Sequence, residues 1–249
     1  MEAIRKIIFR QEVKKIIHIK ADSPLQSMIN AGEFPDLSNG AGTDFFFVSV
    51  EDPDAAAQEI VRLVKNRLPK YRQVHPSEIQ VLTPMQRGVV GAAHLNTLLQ
   101  EALNPSEVCL RRSGYSFRVN DKVMQIRNNY DKEVFNGDIG TVSSLDLEER
   151  KLTVRFDDRE VEYDVTELDE LVQAYAITIH KSQGSEYPIV VMPVLMTHFV
   201  MLQRNLIYTG ITRAKKLLVL VGTKKAIGYA VRNVTVTNRN TRLKERLQA

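Results

Sequence analysis

Three short apolar runs constrain this chain more than any other feature: AYAITI (174–179), IVVMPV (189–194) and LLVLV (217–221). Runs of five or six residues with so little polar interruption suit strands buried on both faces, as in a parallel sheet covered by helices. Helical patterns stand between strand-like ones. Ile60, Val61, Leu63, Val64 and Leu68 recur at helical spacing over residues 54–68, with Asp54 after Pro53 as the expected cap. Ile79, Val81 and Leu82 make a short strand that the chain leaves through Thr83 and Pro84. GAAHLNTLLQEAL follows as a helix, and HFVMLQRNLIYTG reads as a further amphipathic one. AIRKIIFRQ (3–11) reads as an apolar strand with a polar end. Strand and helix in alternation predict an α/β fold built on a parallel sheet.

The period changes near residue 111. FRVNDKVMQIRN, FNGDIGTVSSLD, KLTVRFDD and REVEYDV alternate apolar and polar residues with a period of two. Turn signals stand at Asn120-Asp121, Asn136-Gly137-Asp138 and Asp157-Asp158. About fifty residues of this kind fit a small all-β barrel of the SH3 type, inserted where the helix and strand alternation is interrupted. The expected units are residues 1–111, the first part of the α/β domain; 112–166, the barrel; and 167–249, the second part with a basic tail.

The 249 residues carry a net charge of +4, unevenly placed. From Arg204 onward there are eleven Lys or Arg against Glu245 alone, whereas 146–170 holds eleven Asp or Glu against four basic residues. A basic end suits an anionic partner such as nucleic acid; the plainer reading is a solvated helix and tail. Cys109 is the single cysteine, so no disulfide framework or thiol metal cluster is expected, and a reducing cytoplasm fits. No apolar stretch approaches membrane-spanning length, and no membrane partner is expected.

The polar knot HKSQGSE (180–186) lies between two of the apolar runs. A parallel strand ending in such residues delivers them to the carboxyl edge of the sheet, where open sheets bind ligands. Thr178, His180, Ser182 and the amides near Gly184 can donate to phosphate oxygens, and Glu186 can accept from a sugar hydroxyl. A loop that merely caps strands is the alternative. In GITRAKK (210–216), Arg213 has the rigid, always-charged fork that suits a developing phosphoryl charge, although a surface ion pair is the commoner use of such an arginine. Arg10 and Gln11, in IFRQ, stand where a short strand meets solvent. Thr83, in TPMQRG, suits a phosphate contact or an ordinary turn. There is no GxxxxGK[ST] phosphate cradle, no acidic pair ending an apolar strand, no GxSxG and no cluster with metal-ligand spacing. A nucleotide would find only half of a site.

In order, IFRQ, VLTPMQRG, FNGDIGTV, AYAITIHKSQGSEYPIVVMPV and RNLIYTGITRAKKLLVLVG resemble the carboxy-terminal half of RecD-like DNA helicases of superfamily 1, over about Ile7 to Arg246. SMINAGEFPDL resembles the family's segment at that point. The resemblance implies a second RecA-like motor domain, without a P-loop of its own, interrupted by an SH3-like barrel. ATP with Mg2+ would sit between it and an N-terminal RecA-like domain that supplies the cradle and metal ligands. Arg213 would reach the γ-phosphate with Arg10 as its companion; Gly184, Glu186 and Gln11 would lie against the nucleotide. Thr83, Thr178 and His180 would face single-stranded DNA, joined from the barrel by Lys122, Arg127 and Asn128. The family's travel is 5′ to 3′. Other repair or recombination proteins are further expected partners. The expectation is a fragment that hydrolyses essentially no ATP alone. The alternatives are a separate nucleic-acid-binding module and a protein-docking module, each with vestigial motor motifs.

Overall fold

Two of the apolar runs, IVVMPV and LLVLV, form inner strands of a five-stranded parallel sheet, and AYAITI supplies an edge strand. In the computed structural model, which describes residues 24–38, 44–157 and 159–234, the first elements are α1 (Pro24–Ala31), β1 (Phe45–Ser49), α2 (Pro53–Arg62), α3 (Leu68–Arg72), β2 (Ile79–Thr83) and α4 (Ala92–Leu103). Seven short strands follow: β3 (Leu110–Arg112), β4 (Tyr115–Phe117), β5 (Lys122–Gln125), β6 (Ile139–Asp146), β7 (Lys151–Phe156), β8 (Arg159–Asp164) and β9 (Leu171–Gln173). The chain ends its described part with β10 (Ala176–Thr178), β11 (Tyr187–Val194), α5 (Arg204–Ile211), β12 (Ala214–Gly222) and α6 (Lys224–Arg232).

The parallel sheet has the order β1-β12-β11-β2-β10. Successive residues of each strand serve opposite cores, which is why the runs lack polar alternation. Val190, Met192, Leu218 and Leu220 pack with Ile29, Ile207 and Ile227 of α1, α5 and α6. Ile189, Val191, Leu217 and Val219 pack with Ile60, Leu95 and Leu99 of α2 and α4. Each such side chain contributes about 1.5–3 kcal/mol relative to exposure.

The helix predicted over 54–68 differs in detail. Its cap is Asp52 and not Asp54: the Asp52 carboxylate accepts from Ala55 N at 2.7 Å, and Pro53 takes the first helical position, where its missing N–H costs nothing. Residues Leu63–Arg67 widen into a π turn, with Leu68 N–H bonding Leu63 O. Pro69 follows directly and has no N–H to continue the ladder. The segment before α5 is a 3-10 turn, Met196–Met201, and only Arg204–Ile211 is α-helical.

The period-two region forms an antiparallel sheet in the order β8-β7-β6-β5-β9, with Tyr163, Val154 and Leu152 in its own core. A 3-10 turn, Val165–Glu170, carries the chain from one edge strand to the other. The sheet takes in Leu171–Gln173, beyond the 112–166 span read from the sequence, because Val123, Met124 and Gln125 of β5 need a second partner. Met124, Ile139 and Val172 also pack into the core of the parallel sheet, so the two sheets share apolar contacts.

A buried polar hub joins them. The fully buried Asp121 carboxylate accepts from Arg118 N (2.8 Å), Gln100 Nε2 (2.5 Å), Asn104 Nδ2 (2.8 Å) and the Tyr175 hydroxyl (2.8 Å). These donors come from the barrel, from α4 and its end, and from the residue before β10. Asn96 extends the junction, bonding Gln173 O and both backbone groups of Ala176.

Candidate functional site

The knot HKSQGSE does not stay at one edge of the sheet. Thr178 ends β10 in register with Thr83, which ends β2, so these two mark the carboxyl edge. Residues 184–186 precede Tyr187, the first residue of β11, and Arg213 precedes Ala214, the first of β12, in register with Tyr187. They therefore mark the amino edge. The register of β2 with β11 places Thr83 level with Pro193, six residues along from Tyr187. At about 3.3 Å per residue the knot descends roughly 20 Å. The carboxyl-edge placement expected for the whole knot thus holds only for its start; the short connection between parallel strands carries the rest to the opposite edge.

At the amino edge, Arg213 Nε donates to Thr209 O (3.2 Å), Nη1 to Ser185 O (3.1 Å) and Nη2 to the Thr212 hydroxyl (3.2 Å). The guanidinium has five N–H donors, so two stay unassigned among the described residues, enough for one phosphate oxygen pair. The end of α5 at Ile211 and the start of β12 at Ala214 are both buried, which holds the fork in place. Gly184 has φ +86° and open space where a Cβ would stand, so the backbone there can approach a ligand closely. Glu186 pairs with Lys215 at 3.0 Å, with about half of each side chain exposed. Such a pair contributes little and yields readily to a ligand hydroxyl. The residues present fit a triphosphate and a sugar. Among the described residues no group of three or more His, Cys, Asp or Glu is gathered around a metal position.

At the carboxyl edge, Thr178 is half-buried and His180 exposed. Two expected phosphate donors are occupied internally. The Thr83 hydroxyl, fully buried, donates to Val90 O at 2.7 Å, and the buried Ser182 hydroxyl donates to Ile179 O at 2.7 Å. In this conformation they shape their loops and touch no ligand. Gln86 and Lys181, which the sequence reading did not single out, line one small cavity beside this edge.

On the barrel, Lys122 turns inward: its ammonium donates to Ser77 O at 3.1 Å and lies 6.0 Å from the Tyr187 ring centre. Burial lowers its pKa to about 8. It is therefore a bracing residue between barrel and parallel sheet, contrary to the expected DNA contact. Arg127 and Asn128 are exposed. Asn128 accepts from Asn136 N (2.9 Å) and holds the turn that carries Phe135. Phe135 is 44% exposed and meets Tyr130, 74% exposed, edge-on at 6.0 Å. Sequence reasoning missed this aromatic pair, having taken Phe135 as the start of an alternating run; in the structure both rings stand outside the named strands. Arg10 and Gln11 lie outside the described residues, as do the IFRQ strand and residues 235–249.

A family model for the ATP-dependent RecD-like DNA helicase SH3 domain matches residues 95–156, and one for the UvrD-like helicase C-terminal domain matches 173–221. The ATP-dependent RecD2 DNA helicase of Deinococcus radiodurans is 38% identical over 198 residues, 80% of this chain and 26% of that protein. The RecBCD enzyme subunit RecD of Haemophilus influenzae is 32% identical over 160 residues, 64% of this chain and 24% of that protein. The chain thus spans about a quarter of the length of these curated relatives. In fold, it is similar to the Pif1 helicase from Bacteroides solved in complex with ADP-AlF3 and ssDNA: TM-score 0.50 at 17% identity, covering 90% of this chain and 53% of that one. The RecA-like parallel sheet and the SH3-like unit expected from the sequence are both present.

Proposed function

We propose, from the premise that this chain belongs to the RecD-like helicases, that it is the second motor lobe of an ATP-dependent 5′–3′ DNA helicase. It carries a RecD-like helicase C-terminal domain. The finer roles rest on one observation: Arg213 is held by three hydrogen bonds with two donors left over, at the same sheet edge as the open Gly184. Arg213 places positive charge where phosphoryl charge develops, with Arg10 as its companion. Gly184, Glu186 and Gln11 line the nucleotide. The cradle and the Mg2+ ligands come from an N-terminal RecA-like domain, so this chain alone hydrolyses essentially no ATP.

Thr178 and His180 grip the backbone of single-stranded DNA at the opposite edge, and Arg127 and Asn128 add contacts from the barrel. Thr83 supports that edge by fixing the loop at Val90. The knot spans both edges, so closure of the cleft at Arg213 displaces the segment that carries His180. Alternating grip between two lobes then yields stepping. The barrel acts as a unit ending at Gln173, and repair or recombination proteins are its further partners.

Pairing this chain with an N-terminal RecA-like lobe that carries the cradle should give DNA-stimulated ATP hydrolysis. Arg213→Ala should then lower turnover by roughly a thousandfold or more, the usual size of an arginine clamp. Full turnover by that variant would remove the clamp role. Hydrolysis that ignores DNA would favour the second reading, in which the exposed Tyr130 and Phe135 make the barrel a separate nucleic-acid-binding module.

A further inference from the structure

Helix α6 carries a groove that neither proposed ligand uses. A cavity of ≈ 640 Å3 is lined by Phe34, Lys224, Lys225, Gly228, Tyr229 and Arg232, with Asn233 at its end. Along the helix, Lys224, Gly228 and Arg232 form one row at i, i+4 and i+8, with Lys225 and Tyr229 beside it. Phe34 closes the other side: a Cβ added to Gly228 would stand 3.5 Å from its ring. Glycine in mid-helix is disfavoured relative to alanine, and here it keeps the floor of the groove low. Phe34 and Tyr229 are 43% and 42% exposed. No carboxylate lies within ion-pair distance of Lys224, Lys225 or Arg232 among the described residues.

We infer that this groove binds a short acidic peptide segment of a partner protein, with one apolar side chain seated between Phe34 and Tyr229. From Lys224 to Arg232 the helix rises about 12 Å, which an extended peptide covers in about four residues. Cations at both ends with rings between them match carboxylates flanking an apolar residue. A continuous run of phosphates fits less well. Asp36 stands near Lys224; its pKa is lowered first by hydrogen bonds from Ser38 and, less, by the Lys224 charge. A peptide can place its carboxylates toward Lys225 and Arg232, away from that negative charge, whereas a nucleic-acid backbone carries a phosphate on every residue and brings one beside it.

The probe is a fluorescein-labelled acidic hexapeptide with one central phenylalanine, followed by fluorescence anisotropy on the 249-residue chain. Saturable binding is expected, weakened at least tenfold by the double change Lys224→Glu and Lys225→Glu and, separately, by Tyr229→Ala. These are exposed positions, and unchanged far-UV circular dichroism would show that the fold is kept. A version with every carboxylate replaced by its amide should bind at least tenfold more weakly, and an oligo-dT strand should not displace the acidic peptide. No saturation by about 1 mM, equal binding of the amide version, indifference to the charge reversal, or displacement by oligo-dT from the parent but not the double variant would each overturn the inference.

Discussion

Replacing Asp121 by alanine asks whether the barrel and the parallel sheet stand or fall together. Its two carboxylate oxygens each accept from two donors: Gln100 and Arg118 on one, Asn104 and Tyr175 on the other. An interior donor deprived of its acceptor costs ~1–3 kcal/mol, so four could reach ~4–12 kcal/mol. Two effects reduce this. Burial disfavours the carboxylate charge and raises its pKa despite the hydrogen bonds that oppose the shift. A folded pKa above the unfolded one means that stability falls as pH rises through that interval, so at neutral pH the charge itself is a standing cost that alanine removes. Water can also enter the vacated space and serve some donors. The net expectation is about 3–5 kcal/mol, toward the lower part of the range for four neutral donors left without their acceptor. Asp121→Asn keeps the volume but turns an NH2 toward two donors whichever oxygen it replaces, so a loss of about 2–4 kcal/mol is expected from electrostatics alone. Tyr175→Phe deletes one donor and should cost about 1 kcal/mol. The chain has no tryptophan, so thermal unfolding is followed by far-UV circular dichroism and tyrosine emission. At about 2–4 °C per kcal/mol for this size, Asp121→Ala should lower Tm by about 10 °C, with both signals moving together. A shift within about 2 °C, or a barrel that melts alone while the rest is unmoved, would refute the reasoning.

The buried His198, whose Nδ1 has no hydrogen-bond partner among the described residues, has its pKa lowered to about 4 by burial. The unfolded chain therefore takes up the proton first, stability falls as pH drops from about 6.5 toward 4, and the loss reaches roughly 3 kcal/mol. His198→Leu should flatten that slope in Tm measured from pH 7 to 4.5, and an unchanged slope would count against it. For the exposed aromatic pair, Tyr130→Ala with Phe135→Ala should weaken oligo-dT binding by about 1–3 kcal/mol per stacked base, without altering the salt slope that phosphate contacts produce. Unchanged affinity would assign these rings another role.

Much of the fold was legible because its signals are local. AYAITI, IVVMPV and LLVLV are apolar on nearly every successive residue, as strands covered on both faces require. The antiparallel unit announced itself through period-two alternation and turn residues. Its end at Gln173 was not legible, since Leu171–Gln173 is too short for any period and joins β5 only because that strand needs a second neighbour. The Asn120-Asp121 pair looks like a turn and is one, with Asn120 at φ 72°; nothing local indicates that the Asp121 carboxylate meets Gln100 and Tyr175 from distant parts of the chain.

The candidate site divides in the same way. Residue types decide the chemistry in reach: Arg213 has a rigid fork, Gly184 a permissive backbone and Glu186 an acceptor, whatever the fold. Their arrangement depends on register. Only the pairing of β2, β10, β11 and β12 separates the Thr178 edge from the Arg213 edge by roughly 20 Å, and only packing turns the Thr83 and Ser182 hydroxyls and the Lys122 ammonium inward. Covalent neighbours and periodicity are properties of the chain as written. Which donors are spent and which face outward is settled by long-range contacts, because burial and hydrogen-bond partners come from residues far apart in sequence.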